Sequence, residues 1–265
     1  MRKAKLGVDH PETLQSMNHV AISYVVLGRH AEALAMREET LTRCRAKLGV
    51  DHFDTLAARI NLSSSYAHFG RHSEALALRE EAVKLLKAKF GADNPETLKG
   101  LQSLALSYTA LGRHSEALAL RQETLKLREA KLGPNHLDTL YSMGAVADSF
   151  SRLKQHAEAE RLLDVGIEGL ERKKSADPGN QRLLSALGDA YTDRAHARAA
   201  LGRPFEAAKD LAIATKYQAA AFKLEPEATG AHIRAFLPGA NEPSKKTTAN
   251  PTAGDSSDSS TKESN

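Results

Sequence analysis

The chain has 265 residues, of which 41% are hydrophobic, so it is long enough to bury a sizeable core in one or two domains. Its net charge of +4 is a mild excess among many acidic residues, which does not indicate nucleic-acid binding. One cysteine (Cys44) excludes an internal disulfide, and no stretch approaches the ~20 apolar residues of a membrane span. Because no apolar run follows the basic first residues either, we expect a soluble, cytoplasmic protein without membrane contact.

A tetrapeptide returns along the chain at a constant step of 42 residues. Its copies are Leu6-Gly7-Val8-Asp9, Leu48-Gly49-Val50-Asp51, Phe90-Gly91-Ala92-Asp93 and Leu132-Gly133-Pro134-Asn135. A second marker, Gly-Arg-His, keeps the same step at Gly28, Gly70 and Gly112. A fixed period of this size predicts a repeat architecture, in which stacked units build a surface that favours binding over chemistry.

Each unit is predicted to contain two helices. In the second unit, apolar or small residues recur every three to four positions from Leu56 to Phe69, which is typical of an amphipathic helix. Gly70 should end this helix, since glycine readily takes a positive φ. Ser73 is the predicted N-cap of the second helix, which should stop near Phe90.

Four such units are predicted in residues 1–173, and the end of a truncated helix precedes the first. Residues 174–226 should form a fifth, elongated helix pair that acts as a C-terminal cap. Residues 227–237 form an ambiguous short segment, and the polar composition of 238–265 predicts a disordered tail. Because residues 2–5 align with the end of a second helix, the array is expected to begin within a unit of something longer.

Several recurring residues resemble those of tetratricopeptide repeat (TPR) arrays of the kinesin-light-chain-like type. They are Tyr24, Gly28 and Ala33, then Tyr66, Gly70 and Ala75, then Tyr108, Gly112 and Ala117, with the phrase Leu6–Leu14 between units. The resemblance covers residues 1–225. It implies an all-α fold, namely a right-handed superhelical α-solenoid of antiparallel helix pairs. It also implies a scaffold that binds a partner protein or an extended peptide in a concave groove.

In this family the first helices of successive units line the groove, and an Asn pair in kinesin light chains helps to hold peptide backbone. Of the corresponding positions, only Asn18 and Asn61 carry asparagine, which argues against a kinesin cargo role. The side chains that the resemblance places in the groove are Gln15, Asn18, Ile22, Ile60, Asn61, Ser64, His68, Lys99, Gln102, Leu106, Tyr141 and Asp148. Their mixture of polar and scattered apolar groups suits an extended peptide.

Two other hypotheses remain open. Near-identical segments such as Ser73–Arg79 and Ser115–Arg121 resemble bacterial arrays, some of which follow a Ser/Thr kinase domain. The chain would then be a non-catalytic docking or regulatory region of a larger enzyme. Alternatively, the incomplete N-terminal unit would pair with another copy of the chain.

No catalytic, cofactor or metal site is predicted. The repeated histidines His30, His72, His114 and His156 belong to stacked helix pairs about 8–10 Å apart, too far to share a metal ion. They are expected to be turn residues, as are the loop histidines. The repeated Arg-Glu pairs, for example Arg37-Glu38, are predicted to be solvated or interhelical ion pairs that contribute little. With no phosphate-binding loop or catalytic motif in the sequence, we expect that the chain is not an enzyme.

Overall fold

The computed structural model describes residues 7–223, and this part of the chain contains ten α-helices and no strand. The helices are α1 (Pro11–Val26), α2 (His30–Leu48), α3 (Phe53–His68), α4 (His72–Phe90), α5 (Pro95–Ala110), α6 (His114–Leu132), α7 (Leu137–Arg152), α8 (His156–Ala176), α9 (Gln181–Ala200) and α10 (Pro204–Lys223). The predicted truncated helix end in residues 1–6, the short segment 227–237 and the tail 238–265 all lie outside the described residues.

The helices form five antiparallel pairs, and each helix packs against the helices before and after it in the chain. We call α1, α3, α5, α7 and α9 the first helices and their partners the second helices. First helices of neighbouring units also contact each other, at α3–α5 and at α7–α9. The predicted fold class, a right-handed superhelical α-solenoid of antiparallel pairs, is confirmed.

The loop histidines are the N-caps of three first helices. His10, His52 and His136 each accept a hydrogen bond at Nδ1 from the backbone N–H two residues later, at 3.2–3.3 Å. Asn94 does the same through Oδ1 at 2.9 Å. Each of these N-caps satisfies a backbone donor that the helix itself leaves without a partner.

The second helices α2, α4, α6 and α8 begin without a side-chain cap. The backbone turns through Gly70, whose φ is +74°, and α4 then starts at His72 after Arg71. The prediction of Ser73 as the N-cap is therefore wrong, because Ser73 already lies in the first helical turn. The tight turn leaves too few residues between the helices for a cap at that position.

The core lies between successive units. Around the first junction, Leu14 and Met17 of α1 pack with Leu41 and Cys44 of α2 and with Leu62 of α3. Burial, together with the Asp54 carboxylate, raises the pKa of the Cys44 thiol to about 11. Cys44 therefore stays protonated and behaves as a small apolar residue.

Buried arginines hold the units together, which the sequence did not predict. Arg37, Arg79 and Arg121 are buried, and Nη1 of each donates to a serine hydroxyl of the next first helix: Ser65 at 2.7 Å, Ser107 at 2.6 Å and Ser149 at 2.7 Å. These arginines were predicted to form solvated or interhelical ion pairs. Arg121 does form an interhelical ion pair, with Asp148 at 2.8 Å. Arg37 and Arg79 are buried and donate to serines instead, so for them the prediction is wrong. Burial lowers the pKa of Arg37 and Arg79, but a guanidinium remains charged, so these hydrogen bonds compensate for lost hydration.

The glutamate that follows the arginine completes the junction. Tyr66 donates its hydroxyl proton to Glu38 at 3.2 Å, and Tyr108 donates to Glu80 at 3.1 Å. Each of these two junctions thus joins an Arg-Glu pair on a second helix to a Ser-Tyr pair on the next first helix.

Within residues 7–223, no helix is long and apolar enough to cross a membrane.

Candidate peptide-binding face

We use the term inner face for the surface formed by the first helices. All twelve side chains predicted for the groove lie on these helices, and none of them is buried. They are Gln15, Asn18 and Ile22 on α1; Ile60, Asn61, Ser64 and His68 on α3; Lys99, Gln102 and Leu106 on α5; and Tyr141 and Asp148 on α7. The 42-residue step places them at matching positions because the helices share length and register.

The two asparagines meet across neighbouring first helices. Asn61 Nδ2 donates to Asn18 Oδ1 at 3.2 Å, and both side chains are half-buried. This bond orients both amides and leaves the Asn18 NH₂ group and the Asn61 carbonyl oxygen without a hydrogen bond among residues 7–223. Such groups can pair with the backbone of an extended peptide.

In the middle of the inner face, some polar side chains already contact other residues of the chain, while nearby apolar side chains are exposed. The His68 ring stacks on the His30 ring at 3.8 Å, and Lys99 pairs with Glu96 at 2.6 Å. Leu106 has 52% of its surface exposed, and Ile22 on α1 is similarly exposed. The apolar side chains are scattered, so the face offers shallow contacts here and no deep cavity.

A pocket of about 210 Å³ lies between α7, α8 and α9. Its lining is Leu140, Tyr141, Gly144, Ala145 and Asp148 from α7, Leu162, Leu163, Gly166 and Leu170 from α8, and Ala186, Asp189, Ala190 and Asp193 from α9. Leucines of the second helix α8 contribute apolar walls, and three aspartates come from the two first helices. Two of the twelve predicted groove residues, Tyr141 and Asp148, are among the lining.

The pocket is open where a side chain is missing. Gly144 occupies the position held by Asn18, Ile60 and Gln102 in the preceding units. A Cβ built at Gly144 meets no atom within 4 Å, so this residue adds nothing to fill the space. The next residue is also small, Ala145.

The aspartates differ in their electrostatic surroundings. Burial, then the nearby Asp148 and Asp189 carboxylates, raise the pKa of Asp193 to about 6, while Arg152 opposes this. Burial likewise raises the pKa of Asp189. Burial acts to raise the pKa of Asp148 too, but hydrogen bonds from Arg152 at 2.9 Å and Arg121 at 2.8 Å outweigh it and hold that pKa below its usual value. The pocket is therefore negatively charged at neutral pH, and its charge falls as Asp193 takes up a proton.

Sequence reasoning missed Gly144, Asp189 and Asp193 as parts of this site. Gly144 had a usable signal, because its 42-residue equivalents all carry larger side chains. For the two aspartates the sequence offered no such signal, since they belong to the pair α9–α10, in which the repeat spacing changes.

The repeated histidines sit at the starts of the second helices, where a turn role was predicted. In His72, His114 and His156 the Nδ1 atom is buried, and it has no hydrogen-bond partner among residues 7–223. No group of three His, Cys, Asp or Glu side chains that could hold a metal ion occurs in that range.

The repeated antiparallel helix pairs, whose first helices together form the inner face, define a helical-repeat scaffold. The profile of the family described as tetratricopeptide repeat matches residues 12–88 and 96–172. The chain therefore belongs to the tetratricopeptide repeat family, whose members are generally non-catalytic scaffolds for protein–protein interaction.

Solved structures of kinesin-light-chain-like TPR proteins share the fold. A kinesin-light-chain-type protein of Podosopora anserina with nearly identical TPR-like repeats is 24% identical, with a TM-score of 0.66 over 79% of this chain and 97% of that one. BtubC (BKLC) from P. vanneervenii is 13% identical, with a TM-score of 0.66 over 95% of this chain and 90% of that one. No curated protein sequence matches the chain significantly.

Proposed function

We propose that the inner face binds an extended segment of a partner protein and that the chain acts as a scaffold through this contact. The observation that carries the proposal is the pocket between α7, α8 and α9, which lies between two first helices and includes Tyr141 and Asp148. A surface with only shallow features binds weakly, whereas a pocket gives a side chain an enclosed place to anchor.

The segment would be held at two kinds of contact. The amides of Asn18 and Asn61 would pair with its backbone, which confers affinity without sequence preference. The exposed Ile22 and Leu106 would contact its apolar side chains.

The pocket favours a lysine or arginine of the segment. The methylene groups of such a side chain would pack against Leu163 and Leu170, while its charge would lie near Asp193 and Asp189. A cation there stabilises the ionised form of Asp193 and offsets the repulsion among the three carboxylates. The proposed segment is therefore basic at the position that reaches α7 and α9.

Filling the pocket tests the proposal. Gly144→Gln introduces the residue found at this position in the preceding unit, and a Cβ there is free of contacts. Since glycine is unfavourable inside a helix by ~1 kcal/mol, the variant should fold at least as stably as the wild type. We expect about a tenfold or greater loss of partner capture from the native lysate, as anchor residues commonly contribute more than 1.4 kcal/mol.

Ala88→Gln is the matched control, because Ala88 is exposed on the second helix α4. It should capture the same partners as the wild type. Equal capture by Gly144→Gln and by the control would contradict a role for the pocket.

The asparagines form a second, independent test. Asn61→Ala, alone or with Asn18→Ala, removes the amides that face the partner backbone. We expect weaker partner capture with helical content close to that of the wild type. Unchanged capture of every partner would remove these residues from the site.

A further inference from the structure

Helix α6 carries an arginine at a position where the other units have an apolar core residue. The residues that stand one 42-residue step before and after Arg128 are Leu86 and Leu170, and Cys44 stands one step further back. These three are 1–3% exposed, and Arg128 is also buried, at 8%. The stacking of units therefore does not require a charge at this position. A guanidinium buried there opposes folding unless another group compensates for its lost hydration.

The Arg128 side chain extends to the inner face. Its Nη1 atom donates to the Ser142 hydroxyl at 2.7 Å and to the Asp138 backbone carbonyl at 3.2 Å, both on α7. Its Nη2 atom donates to Oε1 of Gln102 at 3.3 Å, and Gln102 is an exposed residue of α5. The amide of Gln102 thus covers a buried cation, through a bond that is long for N–H···O.

Arg128 forms no ion pair among residues 7–223. The Asp138 carboxylate pairs with Arg182 instead, at 3.1 Å. Burial lowers the pKa of Arg128, Asp138 opposes this and Arg182 adds to it, but a guanidinium keeps its charge. On the same helix, by contrast, Arg121 pairs with Asp148 at 2.8 Å. Arg128 is therefore a buried cation that can still accept a counter-charge from outside the chain.

Given the binding of an extended segment proposed above, we propose that an acidic side chain of that segment displaces the Gln102 amide and pairs with Arg128. We call Gln102 and Arg128 the anion subsite. A carboxylate accepts from the Nη2 atom more strongly than a neutral amide does, and it supplies the counter-charge. Gln102 gives up one long hydrogen bond and can turn toward solvent, because it is exposed.

The anion subsite and the pocket lie on opposite sides of α7. The gap of about 10 Å³ beside Arg128 and the pocket beside Asp193 both include Ala145 in their lining. Neighbouring packed helices are about 8–10 Å apart, and an extended chain advances about 3.3 Å per residue. The acidic residue therefore stands about three positions from the lysine or arginine that enters the pocket. This pairing of opposite charges distinguishes the partner from a segment that is only basic.

A library of random peptides displayed on phage is the probe, and the whole protein is the bait. We expect the selected peptides to carry Asp or Glu about three positions from Lys or Arg. Selection on Arg128→Leu, which introduces the residue of the units on both sides, should keep the basic residue and lose the acidic one. The variant should fold, since replacement of a buried charge by an apolar residue is often neutral or stabilising, and circular dichroism checks this.

The affinity of one selected peptide measures the contact directly. Replacement of its acidic residue by the corresponding amide should weaken binding to the wild type about tenfold and should not change binding to Arg128→Leu. Gln102→Ala should strengthen binding of the acidic peptide, because the carboxylate no longer has to displace an amide. The matched control is Arg161→Leu, which removes an exposed arginine of the second helix α8 and should bind as the wild type does.

Gly144→Gln distinguishes failure of the anion subsite from failure of peptide binding at the pocket. If no peptide is selected, or if the selected peptides bind Gly144→Gln as well as the wild type, both proposals are overturned. Peptides that require the pocket but bind Arg128→Leu as tightly as Arg161→Leu would overturn the anion subsite alone. Weaker binding to Gln102→Ala would assign the contact to the Gln102 amide and would also overturn it.

Discussion

At the scale of single residues, the turn inside each unit depends on one backbone conformation. Gly112 has a φ of +74°, and a Cβ at this residue would meet no atom within 4 Å. The cost of a substitution is therefore conformational and not steric. We expect Gly112→Val to lower the free energy of unfolding by about 1–2 kcal/mol, because a β-branched residue is unfavourable at positive φ. Urea denaturation measures this difference.

The fourth unit supplies the reverse experiment. Lys154 occupies the position of Gly112. Its φ is +61°, and within the described range it is the non-glycine residue that adopts a positive φ. Lys154→Gly should stabilise the protein by up to about 1 kcal/mol in the same assay, since the strain is relieved. If both variants left the midpoint unchanged, the turn geometry would be wrong.

The buried arginines carry a second prediction at this scale. Arg79 donates from Nη1 to Ser107 at 2.6 Å and from Nε to Ser63 at 2.8 Å. Arg79→Ala should destabilise the protein by about 2–4 kcal/mol, because both packing and charged hydrogen bonds are lost.

A double-mutant cycle with Ser107→Ala isolates the contact between the units. A coupling energy of about 1–2 kcal/mol is expected for a buried hydrogen bond to a charged group. Additive effects of the two substitutions would show that Arg79 stabilises the junction by packing alone.

At the scale of helices, α9 and α10 are joined by a buried carboxylate. Asp210 of α10 is buried and accepts hydrogen bonds from Arg194 at 2.9 and 2.7 Å and from Arg198 at 3.0 Å. Asp210→Asn should destabilise the protein by about 3 kcal/mol, because it leaves two arginines without their shared counter-charge.

Asp164→Asn is the matched control in that network. Asp164 also pairs with Arg194, at 2.7 Å, but it lies at the surface. Its loss should cost less than about 1 kcal/mol, as for other exposed ion pairs. Equal effects of the two substitutions in urea denaturation would contradict the central role of Asp210.

The helices that form the pocket should show a dependence on pH. The pKa of Asp193 is raised from its ordinary 3.8 to about 6, first by burial and then by Asp148 and Asp189. Between these two values the folded state binds the proton more tightly than the unfolded chain does. The contribution of this group to stability is therefore present at low pH and is lost as the pH rises through about 6.

Asp193→Asn removes this penalty. At pH 7 the variant should be more stable than the wild type by about 1–2 kcal/mol, a discounted value because the group is only partly buried. Near pH 4 the difference should vanish. Denaturation at several pH values tests the sign, and a difference independent of pH would contradict the raised pKa.

At the scale of the whole molecule, the 42-residue step made most of the fold predictable. Helices, turns and their order follow from residues that recur in register, such as the turn glycine Gly70 and the apolar series from Leu56. The junction chemistry was missed, although Arg79 and Ser107 also recur at this step. The contact between Arg79 and Ser107 could not be predicted from one unit, because both residues are buried only when neighbouring units stack.

The candidate site was likewise predictable only in part from the sequence: the helix that carries each side chain could be predicted, but the pocket could not. Placement of the twelve side chains on the first helices needed only the repeat register. The pocket needed more, because Gly144 leaves space only when Leu163 and Ala190 surround it in three dimensions. The raised pKa of Asp193 depends on Asp148, which is distant in the sequence and close in the fold.

The central claim is that partners bind the inner face. A photo-reactive amino acid placed at Gln102, which is exposed on the first helix α5, should cross-link to the partner in the native lysate. The same group at Lys84, exposed on the second helix α4, should not. Cross-linking from Lys84 with none from Gln102 would contradict the claim and assign binding to the second helices.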